Sequence, residues 1–64
     1  TMREEDLIEQ RQYAQRVLMN LGIQPIKADV IKGRLTVPKN QLTKARKIIE
    51  HFDWPLFVMP LTAN

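Results

Sequence analysis

Basic side chains concentrate in the middle third of the 64-residue chain. Residues 27–47 contain seven lysines and arginines, against the single carboxylate of Asp29. A concentration of cations of this kind can hold the phosphates of a nucleic acid by charge. The residues that we predict to contact nucleic acid are Lys32, Arg34, Lys39, Lys44, Arg46 and Lys47. The alternative interpretation is an ordinary solvated face rich in lysine.

Base recognition and catalysis have less support in the residue types. The aromatic side chains can all be explained by packing in a core, so the sequence does not indicate base stacking. The chain has neither serine nor cysteine, and its one histidine, His51, lies near a predicted helix end where the helix dipole favours it. We therefore predict a protein that is not an enzyme, with no metal site, no cofactor and no small-molecule substrate.

An apolar run forms the C-terminal part of the chain. All eight residues from Trp54 to Leu61 are apolar or proline. A helical membrane span needs about 20 such residues, so we expect a strand over 54–61 and no membrane association. Alternation along that strand separates Trp54, Leu56 and Val58 from the other set, and a thin domain can cover only one set. The predicted oligomer interface consists of Trp54, Phe57, Met59 and Leu61.

The prolines of this run, Pro55 and Pro60, limit how it can pair. Neither residue has an N–H to donate to a ladder, and both suit an edge strand. We therefore expect a short backbone pairing between them or an interface made by side chains.

The N-terminal third has helical periodicity, and we predict a helix over 3–21. The pattern Thr1-x-x-Glu4 is typical of a capping box at its start. Gly22 can adopt the left-handed conformation just beyond its end. Ile23 would then fold back towards Val17 or Leu18 as the hydrophobic contact of a Schellman-type cap.

Alternating residues over 26–37 predict a β-hairpin. Lys32-Gly33 is a candidate two-residue turn, since glycine supplies the positive φ of a primed turn. This turn would pair Val30 with Leu35 and Ala28 with Val37 on an apolar face, opposite a mostly polar one.

A second helix is predicted over 40–52, capped by Asn40 or a neighbour. Its apolar stripe consists of Leu42, Ala45, Ile48, Ile49 and Phe52. The resulting fold class is α+β with the order α-β-β-α-β, in which two helices cover one face of a small antiparallel sheet. We expect one domain over 1–64. By topology this order resembles a ferredoxin-like unit that lacks its first strand. The resemblance implies that the final strand has lost its usual neighbour and that a partner molecule supplies the missing strand pairing.

These features predict a small non-catalytic regulatory module that self-associates and binds DNA or RNA through the hairpin and the second helix. A chain of 64 residues has a small core, and without cysteine it has no disulfide to stabilise that core. This favours stabilisation by self-association as a homo-oligomer, most simply a homodimer. The alternative is a protein-interaction or adaptor domain that uses the C-terminal strand and has no nucleic-acid role. The acidic start of the chain is unlike a signal peptide, so we expect a cytoplasmic protein.

Overall fold

A computed structural model of the protein describes residues 3–61. It confirms the fold class and the element order α-β-β-α-β. The elements are α1 (Glu4–Asn20), β1 (Lys27–Asp29), β2 (Arg34–Val37), a 3₁₀ turn (Lys39–Gln41), α2 (Leu42–Phe52) and β3 (Phe57–Pro60). Both helices and all three strands therefore fall where the sequence predicts them. β3 begins after Pro55 and ends at Pro60.

The three strands form one sheet in the order β1-β2-β3. β1 and β2 are antiparallel, whereas β2 and β3 are parallel, so the sheet is mixed and not wholly antiparallel as expected. The parallel pair arises because α2 forms the crossover from β2 to β3. β3 pairs directly with β2, so the expectation of a missing neighbour for the final strand was wrong.

The core lies between the sheet and the two helices. Leu18 of α1 and Leu35 and Val37 of β2 are almost completely buried, together with Ile23. The other buried members of this cluster are Ala14, Ala45, Ile49, Leu56 and Val58. Because both helices contribute to the same cluster, both cover the same face of the sheet, as predicted.

The end of α1 follows the predicted cap closely. Gly22 has φ +94°, and its N–H donates to the carbonyl of Met19 at 3.2 Å. The N–H of Ile23 donates to the carbonyl of Leu18 at 3.0 Å, which is the second bond of a Schellman motif. Leu21, which lies at this terminus, is 46 % exposed.

The start of α1 differs from the expected capping box. The helix begins at Glu4, and Arg3 is the N-cap residue without a side-chain cap bond. Thr1, the predicted cap, lies outside the described residues. The acidic residues Glu4, Glu5 and Asp6 occupy the first turn, where the helix dipole favours negative charge.

The hairpin has a different register from the predicted one. Ala28 pairs with Leu35 and Asp29 with Arg34, so residues 30–33 form a four-residue loop instead of a two-residue turn. The N–H of Lys32 donates to the carboxylate of Asp29 at 3.1 Å, and this bond links the loop to the end of β1. The shift equals two residues, so the assignment of side chains to the two faces is unchanged.

α2 begins after the 3₁₀ turn and not at a side-chain cap on Asn40. The side chain of Gln41 instead accepts a hydrogen bond from the N–H of Gln24 at 2.7 Å, which links this turn to the end of α1. At its other end, Asp53 takes the left-handed conformation with φ 53°. Phe52, expected to be buried, is 49 % exposed.

Candidate nucleic-acid interface

The face of the sheet opposite the helices is open to solvent. The register aligns its side chains in two rows across the strands. These rows are Asp29–Arg34–Phe57 and Lys27–Thr36–Met59. We call this set, together with the neighbouring Lys32, the open face. None of these side chains belongs to the buried core.

Cations predominate on the open face. Lys27, Lys32 and Arg34 line one shallow depression with Thr36 and Met59. Asp29 is the carboxylate that shares it, and one oxygen of that carboxylate already accepts the N–H of Lys32. The depression therefore has an excess of positive charge directed at solvent.

Phe57 lies at the end of one row, directly beside Arg34 in the parallel pair. Its side chain is 74 % exposed, more than any other large apolar side chain of residues 3–61. This exposure agrees with the place of Phe57 in the alternating run, and packing in the core, which the sequence offered as an explanation for this ring, does not apply to it. A guanidinium beside an exposed aromatic ring is a combination that can hold a phosphate and a base.

The rest of the C-terminal run divides as predicted. Leu56 and Val58 are buried, whereas Met59 is 46 % and Leu61 48 % exposed. Trp54 is half-buried and packs against other rings: its ring centroid lies 4.6 Å from that of Phe52 and 6.5 Å from that of Tyr13. Trp54 thus lies within an aromatic cluster away from the open face. Its predicted role in an interface stays a prediction, as does that of the exposed residues.

The outer edge of β3 offers little backbone pairing. The N–H groups of Phe57 and Leu61 donate to the carbonyls of Gly33 and Val37 in the direction of β2. Residues alternate along a strand, so the N–H positions of Val58 and Pro60 face outward. Because proline has no N–H, Val58 is the donor that remains on this edge of β3, as expected for an edge strand.

Four of the predicted phosphate contacts lie away from the open face. Lys44 donates through Nζ to the carbonyl of Leu21 at 2.9 Å, at the end of α1. Arg46 of α2 lines a separate groove with Glu50, and Phe57 of β3 borders that groove. Lys39 and Lys47 are exposed, on the 3₁₀ turn and on α2. The structure therefore brings Lys32 and Arg34 together with Lys27 and spreads the other cations over the helical layer.

Arg11 is an important residue that the sequence analysis did not single out. Its Nε donates to the carbonyl of Pro55 at 2.8 Å, and one terminal nitrogen donates to the carbonyls of Val30 and Ile31, each at 3.0 Å. Arg11 thereby joins α1 to the loop that carries Lys32 and to the segment that precedes Phe57. The sequence could have indicated this residue, because Arg11 precedes the buried Ala14 by three positions and so lies on the same side of α1 as the apolar residues.

Comparison of this chain with protein-family models, with curated proteins and with solved structures found no match. Within residues 3–61, no group of three histidine or carboxylate side chains is arranged to hold a metal ion. No helix in the same range combines the length and apolar character that crossing a membrane requires.

Proposed function

We propose that this protein is a non-catalytic module that binds nucleic acid on the open face of its sheet. The observation that supports this most strongly is the row formed by Arg34 and the exposed ring of Phe57, flanked by Lys27 and Lys32. This proposal replaces the predicted hairpin-plus-helix surface by a smaller one, since Lys44 is bonded to the end of α1. The predicted regulatory role and cytoplasmic location stay predictions.

The physical basis is the release of counterions from the phosphate backbone. Each phosphate neutralised by a lysine or arginine releases condensed cations, so the affinity falls as salt rises. For three contacts we expect the affinity to fall by about 20- to 40-fold between about 50 and 200 mM salt. A solvent-open depression is compatible with a long anionic ligand, because the ligand need not enter a closed cavity.

The test measures fluorescence anisotropy of labelled oligonucleotides with the intact chain. Arg34→Gln should weaken binding and lower the slope of log affinity against log salt by about one. Arg16→Gln is the matched control, since it removes the same charge from the exposed surface of α1. If neither single-stranded nor duplex nucleic acid binds at about 50 mM salt, the proposal is wrong. It is also wrong if the two variants weaken binding equally, because only net charge would then matter.

Self-association is a second candidate function, and the exposed Met59 and Leu61 favour it. Burial of these side chains and Phe57 against another protein would remove apolar area from water. Two open faces meeting directly would, however, bring Lys27 and Arg34 of both copies together, and like charges oppose such contact. We therefore place nucleic-acid binding first. Light scattering at two salt concentrations measures the mass: a shift towards monomer in Met59→Asp would support the second candidate, and a wild-type monomer would exclude it.

A further inference from the structure

We infer that the open face selects single-stranded nucleic acid, with an unpaired base stacked on the ring of Phe57 and the adjoining phosphate held by Arg34. This inference rests on the proposed function and adds to it the class of ligand. The cations alone do not separate duplex from single strand, since both expose phosphates. Selection must therefore come from a group that recognises something only one of them exposes.

The ring of Phe57 is that group. Its 74 % exposure leaves most of the aromatic surface in solvent, and one side of the residue borders the groove that Arg46 and Glu50 of α2 line. Every base has a π face that can stack on an aromatic side chain, but in a duplex these faces are covered by neighbouring bases. A single strand can place an unpaired base on the ring, whereas an intact duplex cannot.

The other aromatic side chains are engaged with one another. Phe52 is stacked on Trp54 with an interplanar angle of 15°, and Tyr13 meets Trp54 edge-on at 87°. His51 lies edge-on to Phe52 with centroids 4.8 Å apart. Among the described residues, Phe57 is the ring outside this cluster and the one placed beside the cations of the sheet.

The register brings phosphate and base contacts within reach of one nucleotide. Arg34 and Phe57 are directly opposed on neighbouring strands, which lie about 4.8 Å apart in any sheet. Met59 follows Phe57 on the same face and lies in the row of Lys27. Thr36 lies between Met59 and Lys27 in that row, so the next nucleotide would meet an apolar side chain with its cation one strand further away.

Charge also favours a nucleic acid over an apolar protein on this face. Asp29 can balance only one of the cations Lys27, Lys32 and Arg34, so their burial against an uncharged partner would leave a net positive charge without a counter-charge. Uncompensated burial of charge is costly, whereas a phosphate backbone supplies the missing anions. The occupant that we infer is therefore a flexible polyanion with accessible bases.

The experiment compares an oligothymidylate with a blunt duplex of equal length, for the wild-type chain and three variants. Phe57→Leu keeps an apolar side chain but removes the ring, Phe57→Tyr keeps a ring, and Phe52→Leu is the aromatic control in the separate cluster. We expect tighter binding of the single strand by the wild type. Phe57→Leu should reduce that affinity by about tenfold, while Phe57→Tyr and Phe52→Leu should retain it.

Failure of this inference is distinguishable from failure of the proposed function. Equal binding of single strand and duplex, unaffected by Phe57→Leu but weakened by Arg34→Gln, would overturn stacking and keep the phosphate surface. Absence of binding to either ligand at about 50 mM salt would overturn both. A variant Phe57→Leu that changes the mass of the protein without changing its affinity would also overturn the inference and assign the ring to a protein interface. Far-ultraviolet circular dichroism confirms that each variant is folded.

Discussion

A Cβ atom at position 33 would lie 2.8 Å from Nε of Arg11. Gly33 also has φ +73°, a conformation that side chains rarely adopt. The absence of a side chain at Gly33 therefore lets the guanidinium of Arg11 reach the carbonyls of the loop. The shape of the loop that carries Lys32 depends on both residues.

Gly33→Ala should lower the free energy of unfolding by at least about 1–2 kcal/mol. Both the backbone strain and the contact with Arg11 contribute. Urea denaturation measures this change, and the double variant Arg11→Ala/Gly33→Ala supplies the control. The double variant lacks the contact between the new Cβ and the guanidinium, so the free-energy changes of the two single variants should not add. Strict additivity would show that the guanidinium does not occupy this space in solution.

Arg11→Met should destabilise the protein by about 2 kcal/mol, because three carbonyls lose a charged donor at a partly solvated site. It should also weaken nucleic-acid binding, since the loop and the start of β3 would no longer be held together. Arg16→Met is the matched control on the exposed surface of the same helix. Equal stability of the two variants would contradict the role that we assign to Arg11.

Asp53→Gly should stabilise the protein by about 1 kcal/mol. Asp53 closes α2 in the left-handed conformation, with the N–H of Trp54 donating to Ile49 at 3.1 Å, and glycine adopts this conformation without strain. Asp53→Ala separates charge from conformation, because it removes the carboxylate but keeps a Cβ. In a thermal melt, Asp53→Gly should have a higher melting temperature than the wild type, and Asp53→Ala should not. A gain of equal size in both variants would assign the effect to the charge.

Lys44→Met should reduce thermal stability, because the carbonyl of Leu21 loses its hydrogen bond at the end of α1. Its affinity for an oligonucleotide should change no more than that of Arg16→Gln, since Lys44 lies outside the open face. Lys47→Met removes an exposed charge one turn along α2 and should leave stability unchanged. If Lys44→Met weakens binding as strongly as Arg34→Gln, the larger surface predicted from the sequence is the better description.

Features encoded over a few neighbouring residues were predictable from the sequence. Gly22 and Ile23 identify the end of α1 because a Schellman motif involves only adjacent turns. Alternation also assigned Leu56 and Val58 to the core and Met59 to the surface, because period-two patterns fix faces whatever the strand order.

Features that depend on distant residues were not predictable. The hairpin register depends on Arg11, which donates to the carbonyl of Val30, 19 residues further along the chain. The juxtaposition of Arg34 with Phe57 depends on β3 pairing parallel with β2, which an apolar run does not reveal. For the same reason, the predicted phosphate contacts extended from the hairpin over the 3₁₀ turn and α2.

The most direct test of the central claim is a titration of the isotopically labelled protein with oligothymidylate, followed by amide chemical shifts in two-dimensional NMR. We predict that the largest changes occur at the strands of the open face, at Lys27, Arg34 and Phe57, and that they diminish as salt is raised. The outward residues of α2, such as Lys47, should change little. Changes centred on α2, or no changes at any ratio of ligand at low salt, would contradict the account.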